Sequence, residues 1–371
     1  MRPHTPWPRV GLVSVILGVV VSIIVVAFLW PTITSSVHDV PIAVAGNSQA
    51  VDQVTAALEK KAPGTFSVTV VGTRDAAVDL IKSRDVYGAI VLGDAPEVLT
   101  ASAASPVASQ MVSALAPVLQ AQVTAGAAAQ NAVTGAAAPV VVLTDVVPLA
   151  STDARGTALV ASSFPLVLGG MLGGIITSLL VVGVWRRAAV AGIFAVIAGF
   201  SLAAILQFWF GALQSDYLVN VAIIALGIAS ITGVIVGAVA LLGRAGVAVG
   251  PVLFLLIANP LSSAAQPVEF LAQPWGAIGQ FLPPGAAATL LREHSYFPDS
   301  NMMFPWLVLG GWALLGLLLS IAGHFRSAGA ATHTALAEAE AAEVAHHHEG
   351  THVATAPHVG AHVAPEPSPT A

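Results

Sequence analysis

The chain has 371 residues, of which 56% are hydrophobic and only 9% charged, with a mean hydropathy of +0.85; an ordinary soluble domain carries roughly 25% charged residues. That balance identifies a polytopic membrane protein, and the formal charge of −6, with no basic stripe, argues against a nucleic-acid partner. Cysteine is absent, which removes disulfides, zinc thiolate sites and thiol nucleophiles together.

Residues 11–30, GLVSVILGVVVSIIVVAFLW, carry no charge. About 20 such residues at about 1.5 Å each cross a hydrocarbon core of about 30 Å. Arg2 and Arg9 precede the run, so an uncleaved first helix with a cytoplasmic amino terminus is expected over residues 1–34. A cleaved signal peptide fits less well: the run exceeds the roughly 7–15 residues of a signal core, and Trp30-Pro31 is a poor small-residue cleavage site.

From 35 to 156 the chain gains charge and alternates strand-like and helix-like pieces. Strands are predicted at Pro41 to Ala45, Phe66 to Gly72, Val86 to Leu92 and Pro139 to Leu143. Helices are predicted at Ser48 to Lys61, Arg74 to Ser83 and Pro106 to about Ala129. Strands following helices point to βαβ units and a mainly parallel sheet, and the stretch is long enough to bury a small core of its own. It has no GxGxxG or GxxxxGK[ST] loop. Its charged residues, among them Asp79, Asp85, Lys82 and Arg84, read as a solvated face.

Residues 157–325 are membrane-like throughout, with apolar runs at 157–185, 188–210, 218–242, 246–258 and 304–323. With the first helix they make six expected spans. Arg186, Arg187, Arg244 and Arg326 follow alternate spans, so the positive-inside rule places these junctions, the amino terminus and the carboxyl terminus in the cytoplasm. The fold class expected is therefore a polytopic α-helical membrane protein with six transmembrane helices and an extracytoplasmic α/β insert between helices 1 and 2.

Between the last two spans lies 259–297, NPLSSAAQPVEFLAQPWGAIGQFLPPGAAATLLREHSYF. It is too apolar for a solvated loop and too interrupted by proline for a span. Asn259-Pro260 ends one helix, Pro283-Pro284-Gly285 makes a rigid turn, and a short helix can run from Gly285 to His294. The whole reads as an outward, re-entrant cap, with Arg292 and Glu293 as anchors at the headgroup level. The tail, 326–371, is an Ala/His-rich tract without aromatic residues, expected to be disordered. His346, His347, His348 and His352 have spacing that a borderline metal accepts, although a polar tract is the blander reading, and no metal site is assigned.

Small residues recur at four-residue spacing: Gly169, Gly170, Gly173 and Gly174 in the second span, and Gly233 with Gly237 in the fourth. Such stripes let helix backbones approach closely, within one subunit or between two. No Asp, Glu, Lys or Arg falls inside a span, which disfavours a proton-driven antiporter or ion pump. Gln207, Asn220 and Asn259 are the uncharged polar residues expected to meet a substrate path, with Arg292 and Glu293 at its outer end. A membrane hydrolase would need converging nucleophile, base and carboxylate. The contiguous Arg292-Glu293-His294-Ser295 cannot converge on one helix except three or four residues apart, so no catalytic residue is assigned.

Several stretches carry a family resemblance: PIAVAGNSQ after the first span, YGAIVLGD, SSFPLVLGGMLGG at the second span, and NPLSSA followed by IGQFLPPGAAATLLREHSYF. In these, and in its order of elements, the chain resembles over residues 10–325 the membrane subunits of type-2 ABC exporters, in particular bacterial permeases related to phage-infection-protein-like membrane proteins. The resemblance implies a homodimeric permease of the bacterial cytoplasmic membrane that moves a hydrophobic or amphipathic molecule outward. It further implies no cofactor in this chain, with ATP and Mg handled by a separate cytoplasmic ATPase subunit. Two departures stand out. The chain has no Walker A loop, and its connections at Arg186-Arg187 and Gly243 to Gly246 leave little to form the coupling helix such permeases press against their ATPase, so either the residues before the first span do that job or the motor is lost. A structural or scaffold subunit of an envelope complex is the alternative.

Overall fold

The computed structural model describes residues 6–134 and 138–326. Met1–Gly323 forms one compact unit; of a second, His324–Ala371, only residues 324–326 are described. The tail histidines His346, His347, His348 and His352, and the disorder expected around them, lie outside the described residues.

Helix α1 (Trp7–Thr34) leads into the sheet region. There β1 (Val40–Ala45), α2 (Ser48–Lys61), β2 (Phe66–Val71), α3 (Arg74–Lys82), β3 (Gly88–Val91), β4 (Glu97–Thr100), α4 (Pro106–Ser113), α5 (Leu115–Thr134) and β5 (Val142–Asp145) follow one another. The strand order is β2-β1-β3-β4-β5, with every neighbouring pair parallel except β3 and β4. The expectation of a mainly parallel sheet thus meets a mixed one, because β4 pairs back on β3 as a hairpin. Val98 and Leu99 of β4 are fully buried, but four residues give too short an apolar run to signal a strand. The helices start where side-chain oxygens accept from free backbone N–H groups: Asn47 from Ala50, Thr73 from Ala76 and Ser105 from Ala108. Val40, Ile42, Val44, Ile90 and Leu99 centre the core of this region.

The helical half comprises α6 (Thr157–Ala161), α7 (Ser163–Leu180), α8 (Val184–Ala204), α9 (Tyr217–Leu242), α10 (Trp275–Gln280), α11 (Pro283–Tyr296) and α12 (Met303–Arg326). Among the described residues five helices are long and apolar enough to cross a membrane: α1, α6 continued by α7, α8 with its π-helical extension, α9, and α12. The sixth expected span does not reach that standard. Gly243–Ala248 is a 3₁₀ helix and Gly250–Ala258 a π-helix, two geometries that ordinarily persist only for short stretches.

Glycine contacts give the helix directions. Along α7 and α9, Gly170 meets Ile231 and Gly174 meets Ile235; along α12, Gly316 meets Gly233 and Gly323 meets Ala240. Helices α7, α9 and α12 therefore run the same way. The stretch 243–258 runs against α9, with Gly246 on Ala238 and Gly250 on Ile235, and α8 with its extension runs against it too, with Gly199 on Ala225 and Gln207 bonded to Asn220.

Candidate functional site

Helix α11 ties the two halves together. Pro283 and Pro284 open it at positions where no intrahelical N–H is required, and Gly285 sits where a Cβ would fall 2.2 Å from the Gly279 carbonyl oxygen. Its Leu290 and Leu291 enter the core of the membrane-like helices, while Phe297, just past its end, is fully buried with Phe270 in the core of the sheet region. Between those anchors the helix buries Arg292 and Glu293, which are 7% and 9% exposed. Instead of anchoring at a headgroup surface, the two charges are enclosed, because the sheet region closes over them.

The partner from the sheet region is Arg84, in the turn after α3 with φ +65°. Its Nη1 donates to Glu293 Oε1 at 2.9 Å, and both side chains are 12% exposed. Arg84 therefore does not belong to a solvated face. Arg292 Nη2 donates to the Ala264 carbonyl at 2.8 Å, and Tyr87 donates its hydroxyl proton to Glu269 Oε2 at 3.0 Å. Burial pulls the Arg292 guanidinium down to about 10, helped by the nearby Arg84 charge. Burial also pushes the Glu293 carboxyl up, against the pull of Arg84, and pushes the Tyr87 hydroxyl up. Arg84 and Arg292 against Glu269 and Glu293 balance in charge, yet Arg292 Nε, Glu293 Oε2 and Ser295 Oγ are buried with no hydrogen-bond partner. Sequence reading could not find the Arg84 to Glu293 pair, whose members stand 209 residues apart.

The turn between α8 and α9, which the C-terminal end of α11 touches through His294 and Tyr296, gathers further polar residues. Asn220 is fully buried, and its Nδ2 donates to Gln207 Oε1 at 3.0 Å and to the Gln214 carbonyl at 2.9 Å. Gln207 donates in turn to the Ser215 carbonyl. These two expected path residues meet, and their amide N–H groups close the turn between α8 and α9, while Asn220 Oδ1 is buried with no hydrogen-bond partner. Asn259 is half-buried, and its hydrogen bonds are local, to Phe254 and Ser262.

Gln207 lies in a π-helical turn, Ile205–Trp209, that extends α8. The turn is pinned from outside: Thr152 donates to the Gly211 carbonyl at 2.9 Å and Tyr296 to the Ala212 carbonyl at 3.0 Å. Beneath it α6, α7, α8 and α9 line a cavity of about 350 Å³, open on its outer side, with Ala158, Pro165, Leu166, Leu202, Leu206 and Ile224 among its walls.

The small-residue stripes resolve into contacts within the chain. A Cβ at Gly173 would fall 2.2 Å from the Phe194 ring of α8, and one at Gly237 2.6 Å from the Gly316 carbonyl oxygen of α12. A Cβ at Gly233 would lie 3.8 Å from the Gly316 Cα, whereas one at Gly169 would meet nothing within 4 Å. Among the described residues no cluster of three or more histidine, aspartate or glutamate side chains is placed to hold a metal. The charge cluster has neither a nucleophile paired with a base nor a metal set, and what it can do is join two parts of the fold. No protein-family model, curated protein or solved structure matches this chain.

Proposed function

We propose that this chain is the membrane subunit of an ABC-type exporter in a bacterial cytoplasmic membrane, moving a hydrophobic or amphipathic substrate outward as one half of a homodimer. The observation that carries the reading is the direction of the helices. α7, α9 and α12 run one way while α8 and 243–258 run the other, so the short 3₁₀ and π stretch supplies the return that α12 needs after α9. Counted this way the chain crosses six times. The end of α1, tied by Ser36 to Phe270, falls at the same level as the cap and the sheet region. Arg9, Arg186, Arg187 and Arg244 belong to the opposite end, the arrangement the positive-inside rule favours for a cytoplasmic face. One span, an α/β domain, five spans and a proline-rich outer cap before the last is also the order that the resemblance to type-2 permeases implies.

The connections opposite the cap favour a second reading, a structural subunit of an envelope complex. Only residues 181–183 separate α7 from α8, which leaves nothing for an ATPase to press on there. Pull-down of the tagged protein from native membranes separates the two. A copurifying Walker-type ATPase, whose turnover changes in the reconstituted complex, supports the exporter. Its absence alongside envelope proteins in fixed ratio supports the structural subunit. A cysteine introduced at Asp79 should react with an impermeant reagent in intact cells; reactivity only after lysis would overturn the arrangement of both.

A further inference from the structure

We propose that the cavity under the π-helical turn is a binding site for one acyl chain of a lipid or lipid-like amphiphile. The proposal requires only that the helices lie in a bilayer, so it stands or falls separately from the exporter reading. The cavity measures about 350 Å³, more than twice the roughly 150 Å³ of an apolar cavity that stays dry and takes up benzene. Water is a poor occupant, because the lining is apolar apart from Ser162, whose hydroxyl already donates to the Leu159 carbonyl at 2.6 Å. A headgroup is a poor occupant for the same reason, which leaves the hydrocarbon part of an amphiphile.

The cavity is a built feature and not slack packing. Its roof is fixed by hydrogen bonds from Phe210 N to Ile205 O at 3.0 Å and from Ala212 N to Leu206 O at 2.8 Å, besides those from Thr152 and Tyr296. Its flanks carry Phe164, Phe208 and Trp209, which are 46%, 70% and 81% exposed, the aromatic dress of helix ends near a headgroup boundary. In a bilayer the hydrocarbon chains at that level are the molecules at hand to fill it.

The test uses the full-length protein in nanodiscs of phosphatidylethanolamine and phosphatidylglycerol, doped with phosphatidylglycerol bearing a diazirine on one acyl chain, with crosslinks mapped by mass spectrometry. Peptides covering 158–166 and 202–210 should be labelled about tenfold above those of α1, the ratio that about 1.4 kcal/mol of site preference gives. Ala161→Phe, which fills the cavity, should bring them down to the α1 level while α1 labelling is unchanged; if that variant does not fold, Ala158→Leu is read the same way. Labelling at the α1 level in the native protein, or labelling unmoved by filling, would overturn the proposal. Mass spectrometry of molecules extracted from the purified protein then distinguishes the source: ordinary phospholipid marks a resident bilayer lipid, and a non-phospholipid amphiphile displaced by added phosphatidylglycerol marks a cargo. If no acyl-bearing molecule is extracted and none crosslinks, the proposal fails.

Discussion

Helices α1 and α9 are both strongly apolar, with mean hydropathies of 3.2 and 2.4, yet over the apolar middle of each helix none of α1 is buried within the chain and 72% of α9 is. The glycines show why. A Cβ at Gly11 or Gly18 of α1 would meet nothing within 4 Å beyond its own helix, whereas Gly227 and Gly237 of α9 lie against Ala287 of α11 and the α12 backbone. Hydropathy selects segments that prefer hydrocarbon to water, and in a bilayer lipid satisfies that preference as well as protein does. Which helix becomes the centre is settled by close backbone approach at small residues and by what covers the helix ends.

Arg84→Ala would leave Glu293 unpaired on α11, the helix that covers the cap end of α9, and should cost about 3–5 kcal/mol of unfolding stability in detergent. Replacing both partners, Arg84→Met with Glu293→Gln, should recover most of that loss; equal losses in the single and double variants would deny the pair its role. Gly237→Leu pushes a side chain into α12 and should cost about 1–3 kcal/mol, while Gly18→Leu on α1 should stay within about 0.5 kcal/mol. A cost at Gly18 as large as at Gly237 would mean that α1 is buried against another subunit.

Acid sharpens the contrast between the two halves. Burial raises the Glu293 carboxyl above its ordinary 4.5. Its contribution is therefore fully present below 4.5 and is lost as pH rises through the raised value, so Glu293→Gln should flatten the stability profile above pH 4.5. Glu97 is opposite in sign. It accepts from Arg74 and from Thr144, which hold its carboxyl below the ordinary value, so its contribution is present above 4.5 and is lost as pH falls through the lowered one. Glu97→Gln should flatten only the acid limb, and thermal unfolding across the range checks both. The smallest effect, about 1 kcal/mol, is expected for Asn47→Ala, which removes the cap of α2 in the sheet region and should leave α9 untouched.

Much of the sheet region was legible locally. The bounds of α2 fall at Ser48 and Lys61 as the sequence indicates, because the Asn47 cap and the apolar period are written within one segment. β4 was not legible: four residues are too few to set a period, and its place beside β3 depends on a turn that brings the chain back. The expected path residues divide in the same way. Gln207 and Asn220 stand thirteen apart on adjoining helices and meet as hairpin neighbours. Arg292 and Glu293 look from the sequence like charges at a membrane surface, and nothing nearby in the chain announces that Arg84 and Tyr87 will be laid over them.

Solvent preference and backbone periodicity are local properties, so the amino-acid sequence alone marks the apolar stretches that prefer hydrocarbon to water and the βα-rich segment that interrupts them. Tertiary structure alone decided that α9 and not α1 is the centre, that 243–258 returns as 3₁₀ and π-helix, and that the cap charges are enclosed. Those outcomes depend on which distant surfaces approach closely enough to exclude solvent or lipid, and no single segment carries that information.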